Sequence, residues 1–110
     1  MENEIKEILE KYPADVCDLY YEIRGILYGS ITGSIEEALW AKLPSYFFDG
    51  KFVRFIPFKN HINIEAEGVD AYKKELSGYK ITPKGMLQIY LTQEIPTKAL
   101  SEIFQKMQNR

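Results

Sequence analysis

The stretch Phe52–Glu65, FVRFIPFKNHINIE, constrains the fold of this chain more than any other. It holds two candidate strands, Phe52–Pro57 and Ile62–Glu65, and in the second of them isoleucines alternate with polar residues. Such alternation has the period of a strand with one buried face. We therefore predict an antiparallel hairpin in which Pro57 pairs with Ile62 across a short loop.

This pairing decides which side chains share a face of the predicted hairpin. One face receives the apolar pairs Phe55–Ile64 and Val53–Ala66. The other face receives the pairs Arg54–Glu65 and Ile56–Asn63. Because side chains alternate along a strand, a shift of one residue would exchange the two faces. The pattern predicts a sheet with one face for helices to pack on and one face that carries an ion pair.

Helices are predicted at both ends of the chain. Apolar residues recur at the spacing of amphipathic helices in two early segments, as Ile5, Ile8, Leu9 and Tyr12 and then as Val16, Leu19, Tyr20, Ile23 and Leu27. Gly25 lies inside the second segment, where it weakens a helix by about 1 kcal/mol relative to Ala. A third stripe follows Pro96, which suits the first position of a helix, and comprises Leu100, Ile103, Phe104 and Met107.

The segment before the central hairpin carries conflicting signals. Ser34 and Glu37 have the spacing of a capping box, which predicts a helix. Pro44 follows closely, however, and the aromatic run after it favours a strand. We predict strand, turn and strand from about Leu39 onward, and these signals leave Ile35–Ala38 open.

Three further patterns complete the predicted architecture. Asp49-Gly50 is a hairpin turn signal, residues 69–76 have the spacing of one short helix, and residues 86–91 alternate as a strand. Residues 79–85 are predicted to form a loop because they contain Pro and Gly. The order of these predicted helices and strands indicates one α+β domain over residues 1–110. It has an antiparallel sheet of about five strands, with the N-terminal and C-terminal helices packed on one face.

Composition excludes several classes of function. The 110 residues carry a formal net charge of −2, so the chain lacks the basic footprint of a nucleic-acid partner. No apolar run reaches the length of a membrane span, which predicts no membrane partner. The acidic N-terminal region is unlike a signal peptide and predicts a cytoplasmic protein. With Cys17 as the only cysteine, no intrachain disulfide can form.

The search for catalytic residues favours a protein that is not an enzyme. His61 and Cys17 are far apart in the sequence, and no serine has the setting of a nucleophile elbow. The best polar constellation is His61, Asn63 and Glu65 on one strand face, with Arg54 opposite. These side chains either converge on a metal or an anion, or form a surface ladder with an Arg54–Glu65 ion pair.

His61 itself is predicted to be a functional contact rather than a core residue. It follows Asn60 at the end of the hairpin loop, and strand parity points it away from Ile62. We therefore expect an exposed imidazole with an ordinary pKa of about 6.5.

An acidic stripe lies on the second predicted helix. Asp15, Asp18 and Glu22 are three and four residues apart, so they share one helix face. A stripe of this kind is either a solvated face or a weak cation-attracting ridge.

A series of short motifs runs through most of the chain. It comprises the acidic pair Glu36-Glu37 before Pro44, the run Phe58-Lys59-Asn60-His61-Ile62, the turn Gly78-Tyr79-Lys80, Lys84-Gly85 at the start of a strand, and Pro96 before the last helix. The series resembles the YdhG-like bacterial proteins, a domain-of-unknown-function family. That family is grouped with frataxin-like and CyaY-like folds, and one branch is described as a frataxin-like iron chaperone.

The resemblance implies both a fold and a function. The fold is YdhG-like, YjbR/CyaY-like, with a strand rather than a helix at Glu36–Ala41. The function is that of a non-catalytic iron-binding protein, an iron chaperone for iron–sulfur cluster or haem assembly. Its iron is weakly held and labile, which suits oxygen ligands. The resemblance implies iron–sulfur or haem assembly proteins as partners, and we expect the chain to be a monomer or a weak dimer. The carboxylates that imitate the acidic ridge of frataxins are Asp15, Asp18, Glu22, Glu36 and Glu37.

The alternative hypothesis is a binding module of a different kind. In it, a protein or a small ligand binds the strand face that carries Arg54, His61, Asn63 and Glu65. Both hypotheses describe binding without catalysis.

Overall fold

The computed structural model describes residues 1–108. The helices are α1 (Asn3–Leu9), α2 (Ala14–Ser30) and α3 (Thr97–Gln108), with a short 3-10 helix at Asp70–Tyr72. The strands are β1 (Glu36–Trp40), β2 (Leu43–Phe48), β3 (Lys51–Pro57), β4 (His61–Ala66), β5 (Lys80–Ile81) and β6 (Leu87–Tyr90). These elements confirm the α+β prediction, with six strands instead of about five.

The six strands form one antiparallel sheet in the order β1-β2-β3-β4-β6-β5. The predicted register of the central hairpin is confirmed at every position, as the pairs Val53–Ala66, Arg54–Glu65, Phe55–Ile64, Ile56–Asn63 and Pro57–Ile62. The sixth strand is β5, within a segment that was predicted to be a loop. Its two residues pair with β6 but are too few to show a periodicity in the sequence.

Strand β1 resolves the conflict between the capping box and the strand signals. Glu36–Trp40 pairs with β2, as the resemblance implied, and only Ala41 of the expected strand lies outside it. Ala41 and Lys42 have φ values of 50° and 67°, which is the backbone of a tight hairpin turn. The capping box does not form: Glu37 lies in a strand, and its carboxylate accepts hydrogen bonds from Arg24.

The second hairpin turn agrees with the sequence. Asp49 and Gly50 join β2 to β3 with φ values of 51° and 74°. Both residues therefore adopt the left-handed conformation of a two-residue hairpin turn, which Asp and Gly tolerate well.

All three helices pack on the face of the sheet that carries Val53, Phe55, Ile62 and Ile64. Phe55 is fully buried at the centre of this layer. Its ring centroid lies 5.8 Å from that of Tyr20 in α2 and 6.3 Å from that of Phe104 in α3. The hydroxyl groups of Tyr20 and Tyr46 are 2.7 Å apart, so a buried hydrogen bond also joins α2 to the sheet.

The predicted short helix after β4 is mostly a series of turns. Val69, Tyr72 and Leu76 are buried as their spacing indicated, but helical hydrogen bonding is limited to the 3-10 helix and a single bond from the Leu76 N–H to the Tyr72 carbonyl. A segment this short gains little from helix propagation, so tertiary packing decides its conformation. In α3, Pro96 precedes the first helical residue, and its carbonyl accepts from the Leu100 N–H.

Candidate functional site

In the described part of the chain, the second face of the sheet has no helix against it. We call this the open face. Its side chains are those that alternate with the buried ones along each strand. They include Glu36, Trp40, Ser45, Phe47, Phe52, Arg54, Ile56, His61, Asn63, Glu65, Gln88 and Tyr90. The four residues of the predicted binding face therefore all lie on the open face.

Arg54 is the centre of one cluster on the open face. Its guanidinium carbon lies 4.2 Å from the ring centroid of Trp40 and 4.0 Å from that of Phe52. Its Nε donates to the hydroxyl of Ser45 at 3.0 Å, and its Nη1 donates to Glu65 at 3.2 Å. The side chain of Arg54 is only 8% exposed, against 35% for Glu65. The ion pair that strand pairing suggested is therefore buried at its arginine end.

His61 is the centre of a second cluster. Its ring stacks between those of Phe58 and Tyr90, with centroids 4.5 Å away on each side. Its Nδ1 hydrogen-bonds the side-chain oxygen of Asn60. Partial burial, and secondarily the charge of Lys80, lower the pKa of His61 below its ordinary value. The expectation of an exposed imidazole with an ordinary pKa is therefore wrong, because neighbouring rings cover both sides of it.

Asn63 lies between the two clusters and is 7% exposed. Its Nδ2 points at the sulfur of Met86 at 3.9 Å, and its Oδ1 is buried without a hydrogen-bond partner among residues 1–108. An unsatisfied buried acceptor costs about 1–3 kcal/mol. The open face therefore contains one polar atom that the surrounding side chains leave unsatisfied.

The four predicted residues of this face do not converge on one point. Arg54 contacts Glu65, while the ring of His61 is held by its aromatic neighbours and Asn63 is buried. In the described residues, no group of three or more His, Cys, Asp or Glu side chains is placed to hold a metal ion. The role of these four residues in ligand binding stays a prediction. Their arrangement is that of a surface and not of a chelating site.

The five carboxylates of the predicted iron site lie in different places. Asp15, Asp18 and Glu22 line a cleft of about 760 Å³ between α2 and the loop that joins β6 to α3. Glu36 is exposed on the open face, whereas Glu37 points to the helix layer, because adjacent residues of a strand face opposite ways. Three of the five carboxylates therefore share one cleft, and iron binding by these residues stays a prediction.

Glu37 has a structural environment. Its carboxylate accepts from the Nε of Arg24 at 2.7 Å and from the backbone N–H of Glu2 at 2.7 Å. Burial alone would raise the pKa of Glu37, but hydrogen bonds from Arg24, Glu2 and Tyr46 lower the pKa below its usual value. The charged carboxylate thus joins β1 to α2 and to the start of α1.

Several aromatic members of the open face were not predicted as part of a site. Phe52 and Tyr90 share strand parity with Arg54 and His61, and this was the available signal. Parity assigns a side chain to a face, but it does not show which rings stack. Glu94, a fourth carboxylate on the acidic cleft, is distant in sequence from the α2 stripe and was also missed.

No family model, curated protein or solved structure matches this chain. The resemblance to YdhG-like proteins accordingly stays a prediction. Within residues 1–108, every helix is too short or too polar to cross a lipid bilayer.

Proposed function

We propose that this chain is a non-catalytic binding protein that docks a partner protein on the open face of its sheet. The observation that carries the proposal is the exposure of three large aromatic side chains there: Trp40 and Phe52 on the strands, and Phe58 in the β3–β4 loop, which stacks on His61 and extends the open face. Trp40, Phe52 and Phe58 are 55%, 38% and 40% exposed. Aromatic and arginine residues are enriched at the cores of protein interfaces, where Lys and Glu are depleted.

The Arg54 cluster prepares this face for binding. Hydrogen bonds to Ser45 and Glu65 hold the guanidinium in place, and the two flanking rings pack on it. The aromatic surfaces of Trp40 and Phe52 are therefore ordered before a partner arrives. Preorganised side chains lose less conformational entropy on association, which favours binding.

The surroundings of Cys17 and His61 support binding over catalysis. The thiol of Cys17 donates to the Leu9 carbonyl at 3.1 Å, and burial is the main cause that raises its pKa. His61 lies on the other side of the sheet, in its aromatic stack. A thiol nucleophile requires a base within hydrogen-bonding distance and a low pKa. His61 is not placed to act as that base, and the raised pKa of Cys17 disfavours the reactive thiolate.

Photocrosslinking tests the proposal in cells. A crosslinking amino acid is placed at Trp40 and, separately, at Phe58. Tyr21, which is 44% exposed on α2, serves as the control position. We expect one protein to crosslink at both open-face positions and not at position 21, and its purified form to bind the wild-type chain. Crosslinking that is equal at all three positions, or a captured protein that does not bind when purified, would contradict the proposal.

Weak iron binding is a second candidate function. It is implied by the resemblance and favoured by the placement of Asp15, Asp18 and Glu22 on one cleft, together with Glu94. Oxygen ligands suit labile Fe(II). Because these carboxylates are not already gathered as a metal site, binding would require their side chains to move together.

A further inference from the structure

Apolar side chains form part of the lining of the acidic cleft. Leu19, Ile26, Leu91 and Ile95 line it, and all four are at least half-buried. The cleft lies between α2 and the β6–α3 loop, and we call it the groove. A surface cleft with apolar side chains in its lining suits a segment of another protein.

One wall of the groove follows α2. Asp15, Asp18, Glu22 and Gly25 recur at intervals of three and four residues and line the same side. From the first to the last, this face is about 15 Å long at the rise of an α-helix. A helix of about three turns lying along α2 would contact the whole wall.

The opposite wall is held in place by hydrogen bonds. Gln93 donates to the Gly78 carbonyl at 3.1 Å and accepts from the Tyr90 N–H at 2.8 Å. The hydroxyl of Tyr79 donates to the carbonyl of Glu94. Hydrogen bonds therefore fix the β6–α3 loop to nearby segments of the same polypeptide, so the groove is preformed.

Charge indicates what occupies the groove. The charged residues on its lining are Asp15, Asp18, Glu22 and Glu94, and no Lys, Arg or His of the described chain is among the lining residues. Carboxylates beside apolar side chains, with no basic residue on the same lining, attract a partner that carries both apolar and basic side chains.

Gly25 also lies on this lining. It lies in the interior of α2, where glycine is less favourable than alanine, yet a Cβ at this position would meet nothing within 4 Å. A Cβ would also meet nothing at Gly29 in α2, which is not on the lining, so the empty space alone does not indicate a partner. What Gly25 provides is room on the groove lining, because a residue without a side chain lets another backbone approach closely.

We infer that this groove binds a basic amphipathic helix of a partner protein. Apolar side chains of that helix lie on Leu19, Ile26 and Ile95. Its Lys or Arg side chains face the carboxylates, and its backbone approaches α2 at Gly25. This surface is on the helix side of the sheet, so the inference does not depend on docking at the open face.

The test measures binding of a fluorescein-labelled helical peptide of 18 residues, built from leucine and lysine, by fluorescence anisotropy. A matched peptide carries glutamate in place of lysine. We expect the Leu/Lys peptide to bind and the Leu/Glu peptide not to bind. In the double variant Asp18→Asn with Glu22→Gln, we expect affinity to fall about tenfold, as for two partly screened charge contacts. The charge-matched control, Glu10→Gln with Glu75→Gln, lies outside the groove and should retain affinity within about twofold.

Gly25→Gln separates groove binding from general attraction to an acidic protein. The change leaves net charge unaltered and favours the helix, so we expect Tm to stay the same or rise. We expect peptide affinity to fall about tenfold because the new side chain occupies the approach to α2. Full affinity in Gly25→Gln, or an equal loss in the charge-matched control, would overturn the inference.

Discussion

At the scale of single residues, Arg54 determines the character of the open face. A buried guanidinium is tolerated only where hydrogen bonds and opposite charge replace water. Ser45 and Glu65 supply these contacts, and the rings of Trp40 and Phe52 shield the charge between them. The side chain thereby organises two exposed aromatic residues.

Replacing Arg54 by Ala should lower the free energy of unfolding by about 1–3 kcal/mol, because it removes buried hydrogen bonds and the support of two rings. Glu65→Gln should cost less than about 1 kcal/mol, since Glu65 is the more exposed partner. Urea unfolding provides both values. Phe55→Ala, a core truncation expected to cost about 3–5 kcal/mol, calibrates the series. A negligible loss for Arg54→Ala would show that the cluster is open in solution.

His61 gives a second prediction at this scale, and the sign of its pH effect follows from its surroundings. Partial burial and Lys80 lower its pKa, so an NMR titration should place the midpoint below about 6.5. The contribution of neutral His61 to stability is then fully present above the unfolded-state pKa of about 6.5, and it declines as pH falls through the folded-state pKa. Lys80→Gln should raise the pKa, and Phe58→Ala should raise it further by exposing the ring. A midpoint at or above the ordinary value in the wild-type chain would contradict the stacked arrangement.

At the scale of elements, the sequence predicts structure best where a pattern is long and local. The alternation in Ile62–Glu65, together with the pairing of Pro57 with Ile62 across a short loop, predicted the register and the faces of the central hairpin, and both are confirmed. At Ile35–Ala38 the local signals disagree, because a capping box and strand signals overlap there. The contact of Glu37 with the distant Arg24 is not readable from that local pattern. Strand β5 is too short to show a pattern. The stacking of His61 and the contribution of Glu94 to the acidic cleft both depend on contacts between distant parts of the chain.

The iron prediction belongs to α2. If the chain binds Fe(II) at the cleft, an anaerobic titration should first broaden the amide resonances of Asp15, Asp18 and Glu22. Asp18→Asn with Glu22→Gln should weaken this effect, whereas the charge-matched variant Glu10→Gln with Glu75→Gln should not. Broadening confined to His61 and Glu65 would move the metal to the open face. No broadening at about millimolar iron would discard the iron-chaperone hypothesis.

At the scale of the whole molecule, polar contacts join the helix layer to the sheet. The Arg24–Glu37 ion pair connects α2 to β1, and the buried hydroxyl contact of Tyr20 and Tyr46 connects α2 to β2. Burial raises the pKa values of both tyrosines, so their phenols stay protonated at physiological pH. These contacts help to fix the position of the helix layer on the sheet, and they lie on the side opposite the open face.

Glu37 makes the stability of the whole molecule sensitive to acid. Its pKa is lowered in the folded state, so its contribution is present above the unfolded value of about 4.3 and is lost as pH falls through the folded-state pKa. Glu37→Gln should cost about 1–3 kcal/mol at pH 7 and flatten the loss of stability in acid. Glu36→Gln, at the adjacent exposed position, should cost less than about 0.5 kcal/mol. Thermal unfolding between pH 3 and pH 7 compares the two variants. Equal effects would show that Glu37 has no special role.

Docking at the open face is tested most directly by titrating the wild-type chain with the purified crosslinked partner while following the fluorescence of Trp40, its only tryptophan. We predict a blue shift on binding, as the indole leaves water. We also predict an affinity loss of at least about tenfold in Phe52→Ser, with affinity unchanged in Tyr21→Ser. An unshifted Trp40 spectrum, together with an affinity loss in Tyr21→Ser alone, would place the partner on the helix side and contradict the proposed function.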